Sequence, residues 1–361
     1  MEDKTVNTTP TKFFPQLEGL RAFAIVFVVM AHWQPDGNPY EYWIRWAGYW
    51  GINYFFVLSG FLIGQILLKE NDRLKANEQA TAWQSLKVFY MRRILRIFPT
   101  YYLLIAILLF IGFPAFIYKM YPWLLLYGSN FYIFQHGFSW PLTHLWTLAV
   151  EEHFYLVFPL LIFFIPKRFV IHAILLFGIT GAIFRCCMYL LKVDMYSMLT
   201  PSWFDVLAIG VLLAYIKVNS IAIPYWKAIL LLSLALYAFL PLPHFLYFKG
   251  RTFLNVLIPS SALLSMGIIW FASKGIQGPV KYLLENKVAL YIGKIGYGLY
   301  LYHLLIPDLV FFIFGKLHYI PDDMNMIYMI EAIVLLTIAS LSYYAIEKPL
   351  YSLKKHFVFG Y

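Results

Sequence analysis

Charge is what this sequence has least of. Asp, Glu, Lys and Arg make up 13% of 361 residues, about half the share of a soluble domain. A chain so poor in charge cannot cover a water-facing surface, which excludes a soluble globular protein. Cysteine is nearly absent as well: Cys186 and Cys187 sit side by side in an apolar run. There they would face different sides of a helix as small core residues, with neither a disulfide framework nor a metal-ligand spacing. The chain also lacks a fixed-period repeat, a low-complexity tract and any polar stretch long enough to fold alone, since the longest, residues 69 to 84, reads as a loop. No small-residue cleavage pattern follows the first apolar run, so that run is expected to be a retained helix.

What fills the space is apolar: 61% hydrophobic residues, with 33 Phe, 29 Tyr and 11 Trp. The net charge of +10 comes from basic residues scattered among apolar segments. No basic face with interleaved aromatics is present, so nucleic acid is not expected as a partner and membrane lipid is. About 20 apolar residues cross a bilayer as a helix. On that measure the fold class is all-α, a polytopic bundle of ten spans: 17–33, 51–68, 97–116, 146–165, 169–191, 203–216, 226–241, 254–273, 289–314 and 325–346. Residues 121 to 134 are too short to span and read as re-entrant or interfacial. With both termini cytoplasmic, inner segments hold 21 Lys and Arg and outer loops 6, with Arg185 inside a span. That bias fits the positive-inside rule.

Ionisable residues inside such spans are costly and mark function. Arg21 and His32 are eleven residues apart on the first helix, on one face and about 16 Å apart, so both are expected to face one interior channel. Arg21 has a structural reading too, as a pair with Glu18, and His32 one as a partner of Asp36. In the second span Asn53 and Ser59 offer polar groups to a cavity, while Gly60 and Gly64 suit close helix packing. Arg92, Arg93 and Arg96 precede the third span and read either as a lipid-headgroup anchor or as a phosphate clamp. The fourth span opens with His144, Thr147, Glu151, Glu152, His153 and Tyr155. Adjacent Glu151 and Glu152 point about 100° apart, so one of them faces the cavity. No H-x-x-x-H or H-E-x-x-H pattern occurs there, and no metal is expected. Tyr297, Tyr300 and His303 share a face of the ninth span, and Glu347, Lys348 and Pro349 are expected to close the tenth helix.

In this order the blocks resemble the acyltransferase 3 family of integral membrane acyltransferases. They are the opening L-(D/E)-G-L-R-A with Arg-x10-His (Leu17 to Ala22, then His32), the F-F-x-L-S-G-F run at Phe55 to Phe61 and the arginine block from Arg92 to Tyr101. His144 to Tyr155 and the closing Glu347, Lys348 and Pro349 complete the set. The likeness runs from Phe13 to about Lys355, with Gly296 and Gly298 where the family usually has serines. It implies a single membrane domain over residues 1 to 361, with no appended soluble domain, acting alone or with a separate periplasmic transferase. The implied reaction is transfer of an acyl group, usually acetyl from acetyl-CoA, to a hydroxyl of an envelope carbohydrate such as lipopolysaccharide, at the bacterial inner membrane. Arg21, His32, Arg93 and Arg96 match positions regarded as needed for activity. On that reading Arg93 and Arg96, with Arg92 beside them, hold the CoA phosphates. His32 takes the acceptor's proton or is itself acylated, Glu151 or Glu152 orients an imidazole, and Ser59, Asn53, His144, Tyr155 and His303 line the cavity. The other classes to weigh are a proton-coupled transporter or flippase using Arg21, His32 and Glu151, and a structural partner of another transferase.

Overall fold

A computed structural model describes residues 14 to 359 except 36, 77–80, 240–250 and 319, with the side chains of 239 and 251–257 also undescribed. Among the described residues the chain is helical throughout. α1 (Pro15–Trp33) starts on Pro15, whose fixed φ suits a first turn. α2 (Glu41–Ala76) has 36 residues, about 54 Å and well beyond the roughly 30 Å of hydrocarbon. α3 (Ala82–Ile111) begins at a capping box, in which Thr81 and Gln84 satisfy each other's backbone N–H. The short helices α4 (Ile117–Leu125) and α5 (Ser129–His136) occupy the segment expected to be re-entrant or interfacial. α6 (Leu145–Phe164), α7 (Val170–Leu190), α8 (Phe204–Val218), α9 (Trp226–Phe239) and α10 (Arg251–Lys274) follow. Then come α11 (Pro279–Leu284), α12 (Lys287–Lys294), α13 (Gly296–Tyr302), α14 (Ile306–Leu317), α15 (Met324–Ser342) and α16 (Lys348–Ser352).

Among the described residues seven helices are long and apolar enough to cross a membrane, or eight when the pair α13 and α14, bent by 61°, counts as one span. α2 is the axis of the bundle, with 72% of its apolar window buried, whereas α7 at 22% lies on the periphery. Glycine sets how closely α8 approaches α2. A Cβ on Gly60 would lie 2.2 Å from the Leu207 carbonyl oxygen, and one on Gly210 2.1 Å from that of Val57, so these two backbones cross with no room for side chains.

Five expectations need correction. The polar stretch 69–84 is mostly helix, because α2 continues to Ala76 with Arg73 paired to Glu70 at 2.5 Å and Ser85 donating to the same carboxylate. The third helix starts at Ala82, so Arg93 and Arg96 lie well inside it and not at its entrance. Cys186 and Cys187 are exposed on the outer side of α7, not packed in the core. The ninth segment is broken into α12, α13 and α14. Pro307 has no N–H for the His303 carbonyl one turn back, and that freed carbonyl accepts from the Trp33 indole at 2.8 Å. Finally, Glu347-Lys348-Pro349 does not close a helix: Tyr343–Glu347 form a π-helical turn and α16 continues beyond it.

Candidate active site

One cavity of about 580 Å³ lies within the bundle. α1 contributes Glu18 and Arg21, joined at 2.9 Å, so the arginine is both paired and cavity-facing. α3 contributes Arg93 and Arg96, which share a face at i and i+3. Lys294 at the end of α12 and Lys354 beyond α16 add two more cations. Among the described residues none of Arg93, Arg96, Lys294 and Lys354 forms an ion pair with a carboxylate. Arg93 instead lies 5.2 Å from the centroid of the Tyr155 ring. Deeper in, the Tyr155 hydroxyl donates to Ser59 Oγ at 3.1 Å, and Ser59 donates to Glu151 Oε1 at 2.5 Å.

The cavity ends at Thr147 and Tyr300. The Tyr300 hydroxyl donates to the His144 carbonyl at 2.8 Å and meets Thr147 Oγ1 in a close contact. On the far side stand three histidines that the cavity does not reach. The His303 ring lies 5.0 Å from that of His32 and 4.8 Å from that of His144. Carbonyl acceptors fix their tautomers. His303 Nδ1 donates to Tyr300 O at 2.7 Å and His32 Nδ1 to Val28 O at 2.8 Å, while His144 Nε2 donates to Leu301 O at 3.1 Å. His303 Nε2 therefore presents its lone pair to His32 Nδ1, 3.3 Å away. His32 Nε2 is left as an unprotonated nitrogen on an exposed side chain.

The structure thus divides the residues read from the sequence. Arg21, Arg93, Arg96, Ser59, Glu151 and Tyr155 meet in the cavity. His32, expected to share a channel with Arg21, stands instead with His144 and His303 beyond Tyr300, because the cavity stops short of the C-terminal end of α1. Asn53 does not line the cavity; it donates to the Tyr49 carbonyl at 2.9 Å. Glu152 points away from it, as the 100° rule requires, with Oε1 buried and unpartnered. Arg92 also faces elsewhere, 5.9 Å from the Phe359 ring. Asp36, the suggested partner of His32, lies outside the described residues, as do Lys4, Lys12 and Lys249. Among the described residues no group of three or more His, Cys, Asp or Glu has an arrangement that could hold a metal ion. Sequence reading missed Lys294, Lys354 and Tyr300 as cavity residues. Pro307, four residues after His303, is the signal that would have shown the break.

A multi-pass helical membrane protein with a cation-lined cavity on one side of a tyrosine barrier and histidines on the other is the class that fold and site define. The chain belongs to the acyltransferase 3 family, described as an acyltransferase domain, which it matches over residues 14–345. It is similar to a Staphylococcus aureus (strain COL) protein provisionally named an O-acetyltransferase, 27% identical, covering 94% of this chain and 57% of that protein. It is likewise similar to the O-acetyltransferase OatA of S. aureus (strain NCTC 8325 / PS 47), 26% identical with the same coverage of each. The chain therefore spans 57% of the length of these relatives. No solved structure is found to match it.

Proposed function

We propose that the protein is a membrane O-acyltransferase that moves an acyl group, acetyl by analogy with its relatives, from acyl-CoA to a hydroxyl of an envelope or exported carbohydrate. The observation that carries this reading is the excess of basic side chains in one cavity of a membrane domain, where Arg21, Arg93, Arg96, Lys294 and Lys354 share the lining with only two carboxylates, Glu18 and Glu151. An excess of positive charge inside such a bundle is costly, and a ligand bearing several phosphates offsets that cost. Guanidinium groups at i and i+3 suit phosphate oxygens. The setting proposed is a bacterial cytoplasmic membrane, with both termini inside. The proposed count of ten spans takes α10 and the 14-residue α9, short for a full span, together with the eight above.

On this reading the two substrates lie on opposite sides of Tyr300. The donor thioester reaches the Ser59 and Glu151 end of the cavity, and the acceptor hydroxyl meets His32 Nε2. Parting of Tyr300 from Thr147 joins the two compartments. His32 then takes the hydroxyl proton as oxygen attacks the thioester carbonyl, the C–S bond breaks and CoA leaves as the thiolate, to be reprotonated. His32→Ala should lower transfer by about 10²- to 10⁴-fold while leaving CoA binding intact. Mass spectrometry of envelope glycans from cells carrying the variant reads this directly, and undiminished acylation in a well-expressed variant would remove His32 from the reaction.

A further inference from the structure

Lys294 and Lys354 have no part in the chemistry above, yet both face the cavity from the end that also holds the first turn of α1. Lys294 is held there by its neighbour: a Cβ on Gly293 would lie 2.1 Å from the Glu18 carbonyl oxygen, so α12 lies directly against α1. Each lysine sits over an aromatic ring. Lys294 Nζ is 4.9 Å from the Tyr343 centroid and Lys354 Nζ 4.0 Å from that of Tyr351. The two rings are 6.4 Å apart and meet edge to face at 76°, and both tyrosines line the cavity. Their placement depends on the π-helical turn Tyr343–Glu347, an irregularity that recurs at functional sites. The Tyr351 hydroxyl is tied down by donating to Glu347 Oε2 at 3.1 Å. Lys354 also lies within electrostatic range of Arg96, Arg93 and Arg92, with Glu347 the one opposing charge acting on it there.

Two ammonium groups beside an edge-to-face tyrosine pair match a nucleoside carrying a phosphate monoester. The lysines serve the terminal phosphate as point charges, and one ring at a time can stack on the base. We propose that this lysine and tyrosine pole binds the adenosine 3′-phosphate end of the donor, an inference that rests on the donor being acyl-CoA. Arg93 and Arg96, deeper in, take the 5′-diphosphate, and the pantetheine arm runs inward to Ser59 and Glu151. The donor therefore enters with its thioester leading, and the site selects CoA thioesters over pantetheine thioesters, which have no adenosine.

Equilibrium binding of CoA, 3′-dephospho-CoA and pantetheine to the full chain in nanodiscs tests this. The unaltered protein is expected to favour CoA over 3′-dephospho-CoA by tenfold or more. In Lys294→Ala/Lys354→Ala, CoA should weaken by at least tenfold while 3′-dephospho-CoA stays within twofold. The preference then collapses toward one, and the retained binding shows that the variant is folded. Equal affinity of the unaltered protein for the two nucleotides, or a preference that survives the double substitution, overturns the proposal. If Arg96→Ala abolishes CoA binding while the lysine variant keeps its preference, the pole falls and the acyl-CoA reading stands. If the unaltered chain binds no CoA, both fall.

Discussion

Arg185 and the pair Arg93 and Arg96 meet the same physical problem, a guanidinium inside an apolar bundle, and resolve it in opposite ways. Arg185, with a side chain 3% exposed, gives both terminal nitrogens to the Asp205 carboxylate, and one of them also to the Ser202 carbonyl at 2.6 Å. That charge is neutralised within the fold and ties α7 to α8. Arg93 and Arg96 form no contact ion pair and open onto a cavity, with Glu151 and Glu18 acting on them only at longer range. An intramembrane charge paired at contact is architecture, whereas one balanced only at longer range beside a cavity is free to take a ligand.

The contrast breaks most visibly at Arg185. Arg185→Leu strands Asp205, and the loss should be about 3 kcal/mol or more, read as a fall in the thermal transition in detergent; Arg185→Leu/Asp205→Leu should recover most of it. A single variant as stable as the parent would show that the pair holds nothing together. Arg93→Ala and Arg96→Ala should do the reverse, leaving the thermal transition in place. Each should weaken CoA binding by roughly 10- to 100-fold, the worth of a charged hydrogen bond; unchanged affinity would return both arginines to a lipid anchor. The smallest effect expected is that of salt. CoA affinity should decline as ionic strength rises, more gently in Arg96→Ala, while the stability contributed by the buried Arg185 and Asp205 pair barely responds. Equal salt sensitivity of the two would erase the distinction.

The sequence made the helical class plain, because apolar runs of span length are hard to mistake. It also placed α1, α6, α7 and α8 to within a few residues. It misjudged what hydropathy does not measure. The entrance of α3 was put at residue 97 on apolarity alone, although the Thr81 and Gln84 capping box marks the true start. Lys294 and Lys354 were legible only as positive-inside residues, since facing a cavity depends on a glycine contact and a π turn formed in the folded bundle. The helical phase of Arg21 and His32 gave no hint of a barrier between them. Tyr300 comes from a segment about 270 residues further along the chain, and its partners Thr147 and His144 belong to another helix.

That barrier is closed by few bonds. Tyr300 is held by Thr147 and the His144 carbonyl, contacts worth about 0.5 to 1.5 kcal/mol each. A latch of roughly 2 kcal/mol stands open a few per cent of the time at ambient temperature. Against turnovers of order 10 per second and side-chain motions many orders faster, that is frequent enough not to limit the reaction.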